Sequence, residues 1–320
     1  MGVNIWREDE NIIQIDYDRG GEHIPEDVVH KVLENGWGIT EPEGHHQIFI
    51  VPIPGVKSRL PFIPLTDANQ VIQEKQYLWI ENPVTATFYM LPKIHKDNIK
   101  PPGRPIVSSV GSMCERAGEY LDFFLQPIAS SLPLFIRDSS HFIEACGQIE
   151  LPGDFLLVTC DVESLYSNIG HKEGIEAVAH LLNKKSSLDR GHDSFLLDLL
   201  TFVLHHIFFL FDRTYYLQRS GVAMGAKCAP AYANIFLGWW EEKFVYPLPS
   251  FVAHVHASLR FIDDIFILWK GTREECEEFI NNLNSNPFNI FLTYSLSASE
   301  TTFLDLKIFP HESRLATNLF

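Results

Sequence analysis

Positive charge is the scarcest thing in this sequence. Lys and Arg number 25 against 41 Asp and Glu, a net charge of −16. That balance weighs against binding a polyanion through overall charge and leaves only a local basic strip for such work. Cysteines are few and scattered, at Cys114, Cys146, Cys160, Cys228 and Cys276, with no C-x-x-C pair among them. This argues against a zinc site or a disulfide scaffold and fits reduced thiols inside a cell. The first ten residues hold no apolar run of the kind a signal peptide needs. The most apolar stretch, Phe195 to Phe211, is interrupted by Asp198, Thr201, His205 and His206. It is too short and too polar to cross a membrane. No internal repeat is present. What remains is 320 residues, 46% of them hydrophobic, enough for one large or two smaller globular domains.

The most informative stretch is Ser258 to Trp269, where Phe261-Ile262-Asp263-Asp264 interrupts two apolar, β-prone flanks. The pattern predicts a strand, a tight turn carrying both acids, and a returning strand. Adjacent carboxylates repel, and strands pair better around Gly or Asn. Two explanations stand open: Asp as an ordinary turn residue, or a pair retained to hold a divalent cation.

Residues 1–70 show little organisation. A helical turn or two over Asp27–Asn35 and an edge strand near His45–Pro54 are expected, and His45-His46 reads as a surface pair. Thr87 to Ser108 reads as two short strands around a Pro/Gly loop bearing Lys93, Lys96, Lys100 and Arg104. It is either a solvated hairpin or a cationic clamp for phosphate, with the planar fork of Arg104 at its centre. Ser112-x-x-Glu115 matches a capping box and opens a helix to about Leu132. A shorter helix is expected over Ser140–Gln148.

Phe155 to Asp161 is a buried strand ending in an acid, a position that either mounts ligand chemistry or caps the next segment. A helix over His171–Asn183, another over Phe195–His205 and a hairpin around Asp212-Arg213 follow. Gly221 to Pro230 is a loop of small residues that lets backbone or a planar ligand come close. Pro230 then sits in the first turn of a helix to Lys243. Thr272-x-x-Glu275 is a second capping box, opening a helix to about Leu283. Strands are expected at Phe291–Tyr294 and Thr302–Ile308, and a further one is under way at Phe320.

Taken in order, these segments resemble the motif series of reverse transcriptases, and in wording the Penelope-like retroelements. The resemblance is carried by Phe88-Tyr89-Met90-Leu91-Pro92-Lys93-Ile94-His95-Lys96, by Asp161-Val162-Glu163-Ser164-Leu165-Tyr166-Ser167-Asn168-Ile169, and by Gly221-Val222-Ala223-Met224-Gly225 with Ala229-Pro230 and Ala233-Asn234. Phe261-Ile262-Asp263-Asp264 and Phe303-Leu304-Asp305 complete it, over about residues 77–318. The series implies an α+β fold, a polymerase right-hand palm (an antiparallel sheet backed by helices) with partial fingers. The expected division is an N-terminal region at 1–70 unlike the family's, fingers at 71–155, palm at 156–310, and the start of a thumb or connection at 311–320. The thumb and the GIY-YIG endonuclease of family members are expected to lie outside this chain.

The implied activity is template-directed DNA synthesis on an RNA or DNA template with a primer and dNTPs. It would use two Mg²⁺ ions, or Mn²⁺, held by Asp161, Asp263 and Asp264 with the Val162 backbone carbonyl. Arg104 and Lys93 would face the triphosphate, and Phe303 to Ile308 would form the primer grip. Tyr166 would exclude a 2′-hydroxyl, with a core tyrosine as the plainer reading, and Gly221 and Gly225 would pack against the nascent pair. Asp161 precedes Asp263 by 102 positions, so only a folded sheet can unite them. The resemblance also implies an intracellular setting, the nucleus for a protein derived from such an element, and no membrane. The alternatives are a catalytically inactive remnant with a palm fold and weak nucleic-acid binding, and a metal-dependent phosphatase or nuclease, which would leave the glycine loop and basic hairpin unexplained.

Overall fold

The structure, a computed structural model, describes residues 4–6, 14–16, 37–40, 49–52, 77–92, 101, 103–186, 188 and 190–319. The expected helix at Asp27–Asn35, the pair His45-His46 and the basic residues Lys93, Lys96 and Lys100 lie outside the described residues. In the N-terminal region β1 (Asn4–Trp6) pairs with β2 (Gln14–Asp16), and β3 (Trp37–Thr40) with β4 (Phe49–Pro52).

The fold is α+β, and its centre is an antiparallel sheet ordered β10-β11-β7-β12. These strands are β7 (Leu156–Val162), β10 (Val255–Phe261), β11 (Asp264–Trp269) and β12 (Leu292–Ser297). Side chains alternate between the sheet's faces. Val158, Cys160 and Val162 of β7 join Ile265, Ile267 and Trp269 of β11 in the larger core. Leu157 of β7 joins Phe266 and Leu268 of β11 in the smaller one.

Helices cover the first face: α1 (Glu115–Ser130), α4 (His171–Lys185), α5 (Arg190–His205), α6 (Ala229–Trp240) and α8 (Arg273–Asn284). Helix α6 is at the centre. Every residue of it except Pro230 is buried, as expected of a helix apolar all round. The second face is covered by α2 (Ser139–Cys146) and by a sheet of β13 (Thr301–Phe303), β14 (Leu306–His311) and β15 (Arg314–Leu319). Two short helices complete the set, α3 (Leu165–Asn168) after β7 and α7 (Pro249–His254) before β10.

A third sheet, ordered β6-β5-β8-β9, is built from β5 (Ala86–Pro92), β6 (Gly103–Ser108), β8 (Phe208–Phe211) and β9 (Thr214–Leu217). Strand pairings cross the expected division at two places. Strands β8 and β9, from the 156–310 segment, join β5 and β6 because β8 pairs in parallel with β5. The line at 310/311 falls inside the β14–β15 hairpin, so residues 311–319 complete a sheet already begun.

The strand expected over Thr302–Ile308 is instead a hairpin, because Leu304 takes φ +55° and turns the chain between β13 and β14. Of the two capping boxes, one holds. Thr272 accepts from the Glu275 N–H and Glu275 accepts from the Thr272 N–H, a complete capping box. At Ser112 the pattern is displaced. Its hydroxyl accepts from Cys114 N–H, and the Glu115 carboxylate accepts from Gly111 N–H at 2.8 Å. The backbone has already turned there, with Ser112 N–H donating to Ser109 O.

All five cysteines are buried and free, in five different places: Cys114 just before α1, Cys146 in α2, Cys160 in β7, Cys228 just before α6 and Cys276 in α8. Burial pushes each thiol up to about 12. Among the described residues no helix is long and apolar enough to cross a membrane.

Candidate functional site

The two acids of Phe261-Ile262-Asp263-Asp264 do not share the turn. Phe261 pairs with Asp264, so Ile262 and Asp263 form a two-residue turn and Asp264 is the first residue of β11. Ile262 has φ +52°. A β-branched residue in the left-handed region costs on the order of 1–3 kcal/mol and persists only where its surroundings impose it.

Asp264 lies directly opposite Asp161 on β7, and Asp161 lies opposite Thr293 on β12. Facing residues of an antiparallel pair project to the same side with Cβ atoms about 5 Å apart. The row Asp264, Asp161, Thr293 therefore occupies the face covered elsewhere by the smaller core. Val162 N–H donates to Asp263 O at 3.0 Å, fastening the turn to the end of β7. The Thr293 hydroxyl donates to Asp161 O at 3.4 Å. All three acids are half-buried.

Tyr166 stands beside this turn. It lies on α3, which begins after Ser164 at φ +51°. Its ring is half-buried, and burial pushes the phenol up to about 12. The negative charge of Asp263 pushes the same way and the Arg104 guanidinium opposes it. One hydroxyl thus feels both an acid of the turn and the cation of β6, which brings Arg104, Tyr166 and Asp263 into one electrostatic neighbourhood. Arg104 itself is exposed, opposite Leu91 on β5. Arg116, in the first turn of α1, lies over the Tyr77 ring at 5.2 Å and within 3.9 Å of Glu119.

The glycine loop is stitched to both neighbours. Gly221 has φ +71°, and a Cβ there would lie 2.6 Å from Ser167 Cα. Val222 N–H donates to Tyr166 O at 2.7 Å and Gly221 N–H to Ile169 O at 3.1 Å. At Gly225 a Cβ would fall 2.7 Å from the Val107 carbonyl carbon, and the Ser109 hydroxyl donates to Gly225 O. Backbone occupies the space that the missing side chains leave. The loop therefore locks β6 and the Tyr166 turn together, a reason for both glycines that is intramolecular.

Sequence reasoning passed over Arg260. It is fully buried, at 0% exposure, under the turn on the helix-covered side of the sheet. Its Nε and Nη2 form a fork on the Glu241 carboxylate at 2.6 and 3.2 Å, and Nη1 reaches Asn234 Oδ1 at 2.7 Å. Nη1 also donates to Ile262 O at 3.2 Å. The alternation of β10 hides it: Val255, Ala257, Leu259 and Phe261 form the apolar row, so His256, Ser258 and Arg260 read as the solvated one, yet Arg260 is wholly buried.

The donor set suits a hard cation: carboxylates and a backbone carbonyl, without thiol or imidazole. Among the described residues no three His, Cys, Asp or Glu side chains are gathered into a cage of their own. Mg²⁺ does not need one, since one or two carboxylates with waters and substrate phosphates complete its shell.

A palm sheet backed by helices, with acids at its open end and a partial fingers sheet beside it, defines a polymerase fold. Solved structures agree. Telomerase from Candida albicans, in complex with the TWJ fragment of telomeric RNA, is similar with a TM-score of 0.55 and 11% identity, over 92% of this chain and 56% of that one. Apo telomerase from Candida tropicalis, truncated from its C-terminal domain, is similar with a TM-score of 0.53 and 11% identity, over 88% and 64%. The chain thus spans less than two thirds of either telomerase, and at this identity the likeness is one of fold. No protein-family model matches the chain, and no curated protein does.

Proposed function

We propose that the chain is a reverse-transcriptase domain of Penelope-like origin that performs template-directed DNA synthesis by metal-assisted nucleotidyl transfer. The observation that carries this reading is the β7–β11 register, which sets Asp161 opposite Asp264 beside the Asp263 turn. Asp161, Asp263 and Asp264, with the Val162 carbonyl, would hold two Mg²⁺ ions, Mn²⁺ serving equally. Bound there, the ions would lower the pKa of the primer 3′-hydroxyl and offset the charge of the leaving pyrophosphate.

The chain's own residues supply the rest. Arg104 offers a planar fork to the triphosphate, and Lys93 a point charge. Tyr166, a neutral phenol at physiological pH with or without its upward shift, presents its ring to the sugar and excludes a 2′-hydroxyl. Gly221 and Gly225 hold the loop flat where a nascent base pair would rest. Template and primer are bound through backbone and shape, because base pairing reads the sequence.

The test is primer extension on homopolymer RNA and DNA templates with dNTPs and Mg²⁺ or Mn²⁺, alongside Asp161→Asn. Extension by the parent chain and its loss in the variant are expected. If the parent chain extends neither template with either ion, the reading gives way to an inactive palm, which the net charge of −16 already favours.

A further inference from the structure

We infer that Arg260, Glu241 and Asn234 form a positioning device that holds the Asp263 turn in its left-handed conformation and ties it to α6, the helix that the glycine loop leads into. The role assigned to the turn rests on the reading above. The device itself rests on geometry.

A guanidinium carries five N–H donors in a fixed plane. Here they meet the two Glu241 oxygens, Asn234 Oδ1, Asn234 O and Ile262 O. Four of those contacts go to α6 or to the segment directly after it. The fifth goes to the carbonyl of the one residue in the turn whose φ is unfavourable. The main chain of Arg260 is pinned as well, its N–H donating to Leu134 O at 2.6 Å and its O accepting from Ile136 N–H at 2.8 Å. The fork therefore stands on a fixed base.

Glu241 stands where α6 gives way to a wider turn. Glu241–Val245 is a π-helical turn, closed by Tyr246 N–H donating to Glu241 O. Such turns break the regular helix ladder and are frequently found at functional sites. The same carboxylate accepts from the Tyr246 hydroxyl at 3.4 Å. Toward the N-terminal end of α6, the Asn234 side-chain amide donates to Pro230 O, one turn back on the same helix and just after the glycine loop. A path thus runs from the first turn of α6, which the glycine loop leads into, through Asn234 and Arg260 to Ile262.

Folding stability alone is a poor reason for this arrangement. A buried ion pair gains little over apolar residues of the same volume, because both charges must leave water. What apolar residues cannot do is hold a carbonyl at a chosen angle. The acids occupy one face of the sheet and Arg260 the other, so it touches neither a metal nor a substrate. It acts through the turn, as groups behind a metal's ligands commonly do.

The experiment replaces the charges with apolar groups, Arg260→Met with Glu241→Leu, in the full chain. Thermal unfolding, amide exchange at Val162 and Mn²⁺ binding by electron paramagnetic resonance are then measured. The variant is expected to fold. Its Val162 amide, whose acceptor is Asp263 O, should lose about tenfold of its protection, and Mn²⁺ affinity should fall about tenfold or more. Adding Ile262→Gly, which adopts positive φ without strain, should restore most of both losses. A rescue by glycine would not follow if the pair served only to stabilise the core. Unchanged Val162 protection and Mn²⁺ affinity in the folded double variant would overturn the inference, as would a loss that Ile262→Gly leaves untouched. If the double variant does not fold, Arg260→Lys, which keeps the charge and gives up the fork, answers with the same measurements. If the parent chain neither binds Mn²⁺ nor extends a primer, the polymerase reading fails, and amide exchange at Val162 still decides the role of Arg260.

Discussion

Two turns in this molecule are nearly the same object. Phe261-Ile262-Asp263-Asp264 closes β10 on β11, and Phe303-Leu304-Asp305-Leu306 closes β13 on β14. Each has a two-residue turn after a phenylalanine, a branched aliphatic residue at positive φ (+52° and +55°) and then an aspartate. Their surroundings differ. Behind the first lie a buried guanidinium and a neighbouring strand that carries Asp161. At the second, Asp305 accepts from the Ser139 hydroxyl at the start of α2, and Leu306 sinks into the smaller core. The difference teaches that the local motif makes a turn and nothing more. The residue after the turn, and the strand it faces, decide whether that turn can do chemistry.

The sharpest way to break the comparison is Asp264→Leu, which gives the first turn the sequence pattern of the second. Primer extension should fall by at least ~10³-fold, since a misplaced metal forfeits several kcal/mol of transition-state stabilisation. Unfolding in urea should show no loss of stability. The reciprocal change, Leu306→Asp, places a carboxylate where Leu306 is 1% exposed. It should cost about 3 kcal/mol or more of stability, read from the same unfolding curves.

Tyr166 has no counterpart at the second turn. Tyr166→Val should raise rNTP incorporation relative to dNTP by about tenfold in single-nucleotide assays, an order expected for one reshaped pocket. Unchanged sugar selectivity would make it a core tyrosine. The same ring predicts an alkaline effect. Its phenol ionises near 12 rather than at the ordinary 10. Its contribution to stability is therefore present below pH 10 and lost as pH rises to about 12, and Tyr166→Phe should flatten that decline in unfolding measured across the range. The smallest effects belong to the strained residues. Ile262→Gly and Leu304→Gly should each change stability by only about 1 kcal/mol, relief of strain offsetting lost packing and chain entropy. A much larger loss at one turn alone, seen by thermal unfolding, would show that its side chain rather than its backbone is what the fold retains.

The strands of the central sheet were legible because they are short apolar runs. That Asp161 meets the acidic turn came only from the family resemblance, which named Asp263, whereas the register sets Asp264 opposite it. Periodicity could also separate the two faces of β7. It could not say what covers them. That β8 leaves the neighbourhood of α5 to lie beside β5 depends on a pairing more than a hundred residues distant, which no local pattern encodes. Arg260 went unread for the same reason, since its partners are on another element and its own neighbours look like any β-strand. At Ser112 the motif was right in composition and displaced in register, because the backbone turned one residue early. For the glycine loop the close approach was legible, and its intramolecular partner was not.

The buried cysteines have a practical consequence. A thiol held near 12 and shut away from water is nearly inert to alkylating reagents, so each becomes reactive only when its own surroundings open. Cys146 belongs to the smaller core, whereas Cys160, Cys228 and Cys276 belong to the larger. The chain thus carries a built-in clock of its own unfolding. The order in which its thiols become labelled tells which of the two cores gives way first, without adding any probe.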